Sequence, residues 1–337
     1  MSDQARTATT TKQAWRPTWK DVTRWVITLI LLGLVALHIE FAVLGSLLRN
    51  IDWLLIAIAL LLGFADRILA TLRWLILLKV NGVPVRFFPL LALHLTAGFI
   101  GSFLPTSFGV DAVRIVMLVR REGRGIACTA ASVMDRLIML GATLIAAALA
   151  ALALSTRTDL LAWSILLVGL AAGSLLGAVI LMHPRLAAPL TGALRRLPGP
   201  NIGERLASFY QALHLYRHHG RVLWLAGALT VIILGVRVLL IFALSIAIGL
   251  DASVFEYLLV MPIAWVVVML PISVGGFGLQ EGAYALLMGL VGISATAAVS
   301  ISLLDHVIVR LIALAGVVIW LFRPEFRSRQ TRSIGPR

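Results

Sequence analysis

The chain has 337 residues, of which 60% are hydrophobic and only 13% are charged, and its mean hydropathy is +0.99. Soluble domains are about 25% charged and about 45–50% apolar, so this composition excludes a soluble globular enzyme and a disordered protein. It predicts a polytopic membrane protein. We therefore expect the net charge of +14 to lie in loops that set the orientation, with no nucleic-acid partner. Cys128 is the only cysteine, which excludes a disulfide framework and a multi-cysteine metal site.

Apolar runs that are long enough to cross the hydrocarbon recur along the chain. A spanning helix needs about 20 predominantly apolar residues. Six runs are about this long: residues 25–47, 53–78, 126–154, 160–182, 222–250 and 295–322. Two further apolar segments, residues 90–119 and 257–291, are interrupted by Pro and Gly. The sequence thus predicts an all-α polytopic fold with about six transmembrane helices and two broken segments.

The two interruptions have related sequences, Leu-Pro-Thr-Ser in the first segment and Leu-Pro-Ile-Ser in the second. A break at membrane depth is tolerated only where protein or a wet cavity satisfies the exposed backbone. We therefore expect each segment to bend as a hairpin whose hydroxyls face a polar path. The residues predicted to form these bends are Pro105, Gly109, Pro271, Gly275, Gly276 and Gly278, and the hydroxyls are those of Ser107 and Ser273.

The basic residues predict the topology. Most of the 29 Lys and Arg residues lie in five polar segments, at residues 1–24, 79–86, 120–124, 183–221 and 323–337. The positive-inside rule places these segments in the cytoplasm. Both broken segments must then be re-entrant, the first entering from the cytoplasmic side and the second from the outer side. We predict a bacterial-type cytoplasmic (inner) membrane protein with both termini inside; the alternative is eight or more ordinary spans.

The two halves of the chain share an order of polar residues. Asp111 precedes Ser132 at the same spacing as Glu281 precedes Ser302, and each serine is followed three residues later by an aspartate. This pattern predicts a first repeat at residues 25–154 and a second at residues 155–322. Because each half would hold three full spans, the second would be inverted relative to the first, as in transporters with a site near the bilayer midplane. The alternative is a remnant of duplication without a functional role.

These features resemble a known family. The Leu-Pro-x-Ser breaks, the Ser-Val-Met-Asp-Arg segment at residues 132–136 and above all PISVGGFGLQEG at residues 271–282 are similar to the flippase-like family typified by the transmembrane region of lysylphosphatidylglycerol synthase. The resemblance covers about residues 19–322 and implies movement of lipid between leaflets. In the bifunctional synthases this region is joined to a soluble aminoacyl-transferase domain, which this sequence does not show. The resemblance therefore extends to translocation rather than to aminoacyl-lipid synthesis.

Ionisable residues fall inside the predicted membrane segments, where a charge facing lipid costs at least about 2.5 kcal/mol. They should therefore face inward and pair, and one interpretation is a purely structural network of ion pairs. The residues are Asp66, Arg67, Arg73, Asp111, Arg114, Asp135, Arg136, Arg237, Glu281, Asp305 and Arg310. His94 and His306 show no metal-ligand spacing, and we expect them to be packed and neutral, with a proton relay as the alternative.

The functional interpretation assigns roles to the charged residues beside the hairpins. A guanidinium binds phosphate in a bidentate fork, so Arg114, Arg136 and Arg310 are the candidates for contact with an anionic headgroup. The carboxylates are expected to hold these arginines, although one of them could instead take up a proton if burial favours its neutral form. These carboxylates are Asp111, Asp135, Glu281 and Asp305.

The long polar segment at residues 183–221 contains apolar side chains at helical spacing, namely Ile202, Leu206, Phe209, Leu213 and Tyr216. This spacing predicts an amphipathic helix on the inner leaflet, whose anionic lipids attract its bases. The alternative is a solvated connector between spans.

Taken together, the residues and the resemblance predict a translocase for an anionic phospholipid or a polyprenyl-linked lipid, with membrane phospholipids as its partners. We expect no cofactor, no metal and no catalytic activity. One alternative is a non-catalytic membrane subunit of a cell-envelope lipid or glycan synthase, with a soluble or membrane synthase as partner. A membrane-embedded lipid-modifying enzyme is less favoured because the acids are dispersed among the segments.

Overall fold

The computed structural model describes residues 51–102, 109–155, 161–183, 202–270, 273 and 276–322, together with Val26, Arg49 and Gly192. Within these ranges every regular element is helical. The helices are α1 (Trp53–Val80), α2 (Phe87–Ser102), α3 (Gly109–Glu122), α4 (Gly125–Ser155), α5 (Leu161–Met182), α6 (Ile202–His214), α7 (Gly220–Ala247), α8 (Val254–Val268), α9 (Leu279–Gly289) and α10 (Ala295–Phe322). The predicted span at residues 25–47, apart from Val26, lies outside the described residues.

Among the described residues, length and composition make four helices, α1, α4, α7 and α10, candidates to cross a membrane. These helices coincide with the apolar runs predicted at residues 53–78, 126–154, 222–250 and 295–322, which confirms that the four runs are helical. A helix of 28 residues, such as α1, is about 42 Å long, which exceeds the hydrocarbon thickness of about 30 Å. The fifth long helix, α5, coincides with the run predicted at residues 160–182.

The two broken segments form pairs of shorter helices, α2 with α3 and α8 with α9, and the members of each pair pack together. These helices have 16, 14, 15 and 11 residues, so at 1.5 Å per residue the longest spans only about 24 Å. A Cβ at Gly101 would collide with the backbone of Val110, so α2 and α3 touch on either side of residues 103–108. In the second pair, Gly276 and Gly278 have φ values of +83° and +76°, which favour glycine.

Helices of the first half pack against helices of the second. α7 packs along α1, α8 packs against α4, and α10 packs against α2. At the last of these contacts Gly316 brings the two backbones together, because a Cβ there would collide with the backbone of Leu95. The hydroxyl of Thr96 donates a hydrogen bond to the carbonyl of Gly316 at 2.9 Å. The two halves therefore form one interlocked body.

In the part of the chain that the structure describes, the buried apolar side chains form two clusters. One contains Trp74, Leu77 and Leu78 near the end of α1 and extends to Leu213 and Tyr216 around α6. The other extends from α4 and α7 to α8 and α10. Helix α1 contributes residues to both clusters, and its charged residues Asp66 and Arg67 lie between these two contributions. The apolar core is thus divided by a polar layer.

Three basic loops meet at one end of the molecule. The guanidinium of Arg124 donates a hydrogen bond to the carbonyl of Gly82, which joins the loop before α2 to the loop after α3. The side chain of Asn81 donates to the hydroxyl of Tyr216 at 2.7 Å, and that hydroxyl donates to the carbonyl of Leu77 at 2.8 Å. Burial raises the pKa of the Tyr216 phenol, so the hydroxyl keeps the proton that it donates.

Helix α6 confirms that the predicted amphipathic segment is helical, but its surroundings differ from a helix that lies freely on lipid. Ala207, Tyr210 and Leu213 are buried, and α6 packs against α4 and α5. Leu206, in contrast, is exposed. The apolar face of this helix is therefore largely covered by the protein itself.

Candidate functional site

Asp135 lies at the centre of the first cluster of charges. Its Oδ1 accepts a hydrogen bond from Arg73 Nε at 2.7 Å, and its Oδ2 accepts one from Arg114 Nη2 at 2.9 Å. Arg73 also donates to the hydroxyl of Thr230 at 2.9 Å. Only 2% of Asp135 is exposed, so a carboxylate satisfied at both oxygens joins α1, α3, α4 and, through Thr230, α7.

Asp111 forms a second and more open pair of contacts in the same cluster. Its Oδ1 lies 3.1 Å from Arg114 Nε, and its Oδ2 lies 3.3 Å from Arg136 Nη1. The side chains of Asp111 and Arg136 are 23% and 28% exposed, whereas that of Arg114 is buried. The guanidinium of Arg114 also lies 4.8 Å from the centre of the Trp74 ring. A ligand can therefore reach Arg136 and Asp111 more easily than Arg114.

The second cluster is built around Asp305 on α10. Its Oδ2 accepts hydrogen bonds from Gln280 Nε2 at 3.1 Å and from Arg237 Nη2 at 3.4 Å. Its Oδ1 is buried without a hydrogen-bond partner in the part of the chain that the structure describes. The guanidinium of Arg237 lies 5.8 Å from the Trp265 ring. This carboxylate is therefore less completely satisfied than Asp135.

Glu281 and His306 form the other half of the second cluster. Glu281 Oε2 accepts a hydrogen bond from the backbone N–H of Gly278 at 2.7 Å, which caps α9, and Glu281 Oε1 lies 3.0 Å from His306 Nε2. The His306 ring stacks on Phe277 at 4.4 Å. The guanidinium of Arg310 lies 4.6 Å from the centre of the same Phe277 ring. It also donates a hydrogen bond to the backbone carbonyl of His306 at 2.8 Å.

A cavity of about 340 Å³ joins the two clusters. Its described lining includes five arginines and two aspartates, so positive charge is in excess. The arginines are Arg67, Arg73, Arg114, Arg136 and Arg310, and the aspartates are Asp111 and Asp135. His94, Gly276 and His306 also line it. Such a space is suited to an anion of the size of a phosphorylated headgroup.

The cavity arginines differ in how far their charge is already neutralised. Arg73 and Arg114 are held by Asp135, and Arg136 lies beside Asp111. Arg67 Nε lies 3.9 Å from Asp66. Arg310 has no carboxylate within 4.0 Å among the described residues. Arg310 is therefore the cavity cation with the most free hydrogen-bonding capacity.

The structure brings together most of the residues that the sequence singled out, but it changes their pairing. Asp111 contacts Arg114 and Arg136 as predicted. Asp305, expected to hold one of the three candidate arginines, contacts Arg237. Glu281 contacts His306, which was predicted to be packed and neutral, with a proton relay as the alternative. Most of these carboxylates contact side chains on other helices. Separation along the chain does not show which helices pack together, so the sequence could not predict these pairs.

The hairpin residues are described in part. Gly109 begins α3, Gly276 lines the cavity, and the hydroxyl of Ser273 is buried with no partner among the described atoms. Pro105, Ser107, Pro271 and Gly275 lie outside the described residues. The described residues contain no group of three or more His, Cys, Asp or Glu side chains that could hold a metal ion.

Several residues of this site were missed as candidates. Arg73 and Arg67 were predicted at most to belong to an ion-pair network, and Thr230 was not predicted to take part. His94 donates to or accepts from Thr71 Oγ1 at 2.9 Å. The available signal was an arginine inside an apolar run, which predicts that a partner exists. The identity of that partner depends on the packing of α1 against α4 and α7.

Family comparison agrees with this architecture. The model of the family described as the lysylphosphatidylglycerol synthase TM region matches residues 22–320. No curated protein and no solved structure matches the chain. The match covers most of the sequence, including both clusters of charge and every described helix except the last two residues of α10. The chain is a multi-pass membrane protein that belongs to the family of the lysylphosphatidylglycerol synthase transmembrane region.

Proposed function

We propose that this protein moves an anionic lipid, either a phospholipid or a polyprenyl-linked lipid, across the cytoplasmic membrane. The observation that carries the proposal is the cavity of about 340 Å³ with its excess of arginine. Arg67 and Arg310 lie near the middle of α1 and α10, which are long enough to span the bilayer. An anionic headgroup would be stabilised there, away from either aqueous face.

Within the cavity we assign the primary phosphate contact to Arg310. Its guanidinium is fixed by the Phe277 ring and by one bond to the His306 carbonyl, and the remaining donors have no carboxylate beside them among the described residues. Arg136 is the second contact, because it is partly exposed and paired with the partly exposed Asp111. Arg114 is more fully engaged with Asp111 and Asp135, and it positions these carboxylates.

We propose further that the two halves form an inverted repeat. The packing supports this. If α2 corresponds to α8 and α4 corresponds to α10, then the contact of α8 with α4 is equivalent to the contact of α2 with α10, and both contacts are present. The charges support it as well. Arg73 on α1 holds Asp135 on α4, and Arg237 on α7 holds Asp305 on α10.

The two short helix pairs are proposed to be re-entrant hairpins. None of the four helices reaches the hydrocarbon thickness of about 30 Å. The Arg124–Gly82 hydrogen bond supports entry and exit of the first pair on one side, because it joins the loops at its two ends. Broken helices at the site would let backbone groups face a headgroup without facing lipid. The acyl tails would remain outside, along the exposed apolar faces of the long helices.

The test is lipid translocation by the purified full chain in liposomes, followed with a fluorescent anionic phospholipid whose outer-leaflet fraction is chemically quenched. We expect the wild-type protein to make the inner-leaflet pool accessible. Arg310→Ala should slow this by about tenfold or more, because a hydrogen bond to a charged group is worth about 1.5–3 kcal/mol.

The matched control is Arg221→Ala, which removes the same charge from an exposed position at the start of α7. This variant should translocate lipid at the wild-type rate. Equal rates in the Arg310 and Arg221 variants would contradict the assignment of Arg310. Absence of translocation by the wild-type protein for every anionic lipid tried would contradict the function itself.

A further inference from the structure

The two clusters of charge differ at one pair of corresponding positions. In the first half Asp111 on α3 faces Arg136 on α4, and in the second half Glu281 on α9 faces His306 on α10. Arginine carries its charge at every physiological pH, whereas histidine changes charge between about pH 5 and pH 8. The first pair is thus a permanent ion pair, and the second becomes an ion pair only when a proton is bound.

The contact between Glu281 and His306 has the form of a proton site. Oε1 of Glu281 and Nε2 of His306 lie 3.0 Å apart, a close contact without the geometry of a hydrogen bond, and neither atom has a hydrogen-bond partner among the described groups. Only 1% of Glu281 is exposed. A purely structural carboxylate is normally satisfied at both oxygens, as Asp135 is. A proton that leaves the imidazole of His306 charged would turn this contact into an ion pair and would satisfy both atoms.

The pair also faces the space proposed for the anion. His306 lines the cavity, and Arg310 shares the Phe277 ring with it. A proton on His306 therefore adds positive charge to the side of the cavity where Arg310 lies. Charged or titratable groups from both halves of the chain surround His306. Those of the second half are Glu281 from α9, Asp305 and Arg310 from α10, and Arg237 from α7. Those of the first half are Arg67 and Arg73 from α1, His94 from α2, Asp111 and Arg114 from α3, and Asp135 and Arg136 from α4.

We propose that Glu281 and His306 form a proton-binding site whose occupancy strengthens binding of the anionic headgroup in the adjacent cavity. The inference rests on the proposed function for the identity of its ligand. Binding linkage is reciprocal, so a bound anion must also favour uptake of the proton. Affinity for the anion is then greatest at low pH, where the site holds its proton, and falls as rising pH removes that proton.

The experiment measures binding of fluorescent phosphatidylglycerol to the full-length protein in detergent between about pH 5 and about pH 8, the range in which histidine titrates. The phosphodiester keeps one negative charge throughout this range, so the ligand itself does not titrate. For the wild-type protein we expect affinity to fall at least about fivefold as the pH rises. His306→Arg, which copies the pair of the first half, should bind with an affinity independent of pH.

Two further variants separate a proton site from a general effect of pH. Glu281→Gln should move the midpoint of the binding curve to lower pH, because the carboxylate that favours a charged imidazole is lost. His218→Gln removes an exposed histidine that does not line the cavity and should keep the wild-type pH dependence.

Wild-type affinity that does not vary with pH would overturn the inference, as would an unchanged pH dependence in His306→Arg. Thermal unfolding of each variant in the same detergent checks that the protein is folded. If binding depends on pH as expected but no lipid crosses the liposome bilayer, the proton site stands and the proposed translocation function fails. The two proposals are therefore separable.

Discussion

At the scale of single residues, the role of each charge depends on how completely its partners neutralise it. Asp135 has a hydrogen bond at each oxygen and is almost fully buried, whereas Asp111 contacts two arginines at longer distances and is partly exposed. Removing a carboxylate from a buried pair leaves uncompensated cations, and the cost grows with burial. The two aspartates should therefore differ in their contributions to stability.

We expect Asp135→Asn to lower the free energy of unfolding by about 3–5 kcal/mol, because it leaves Arg73 and Arg114 buried without their charge partner. Thermal unfolding of the purified protein in detergent measures this. Asp111→Asn is the matched control and should cost clearly less, since its contacts are partly exposed. Equal losses for the two variants would show that Asp135 is not the structural centre of the cluster.

At the scale of helices, close backbone contacts rather than side-chain volume fix the position of α10 against α2. Gly316 has no room for a Cβ beside the backbone of Leu95, and the Thr96 hydroxyl bonds to its carbonyl. Small residues at such crossings are typical of membrane helices, because lipid provides no hydrophobic force that drives helices together. The α2–α10 contact should therefore be sensitive to a single added methyl group.

Gly316→Ala should destabilise the protein by about 1–3 kcal/mol, the usual cost of overpacking. Gly227→Ala on α7 is the control, since no neighbouring atom lies within 4 Å of a Cβ there, and it should be neutral or stabilising by up to about 1 kcal/mol. Unfolding temperatures in detergent would report both. A Gly316→Ala protein as stable as the wild type would mean that the two helices can separate without cost.

At the scale of the whole molecule, the basic loops share one end. Arg124 bonds to Gly82, and Asn81 bonds to Tyr216, so three of the five basic segments meet there. The positive-inside rule then predicts that this end faces the cytoplasm. The opposite end, where the backbone N–H of Asp52 donates to the carbonyl of Ala247 at 2.9 Å, would face outward.

Cysteine labelling in intact cells tests this orientation. Cys128 is buried, so the native thiol gives a low background. A membrane-impermeant maleimide should label Asp251→Cys, at an exposed site in the loop before α8, but should not label Arg121→Cys, at an exposed site near the end of α3. Labelling of the second variant alone would reverse the orientation, and labelling both after permeabilisation confirms that each thiol is reactive.

The sequence by itself determined the class of this protein, because apolar runs about 20 residues long require a lipid environment whatever their arrangement. It also located the helix breaks, since Pro and Gly act on the local backbone. It showed that intramembrane charges such as Arg73 needed partners, but only the tertiary structure decided that the partner of Arg73 was Asp135 and that His306 lay beside Glu281. The physical reason is that ion pairing depends on distance in space, and the packing of α1, α4, α9 and α10 brings together groups that are far apart along the chain.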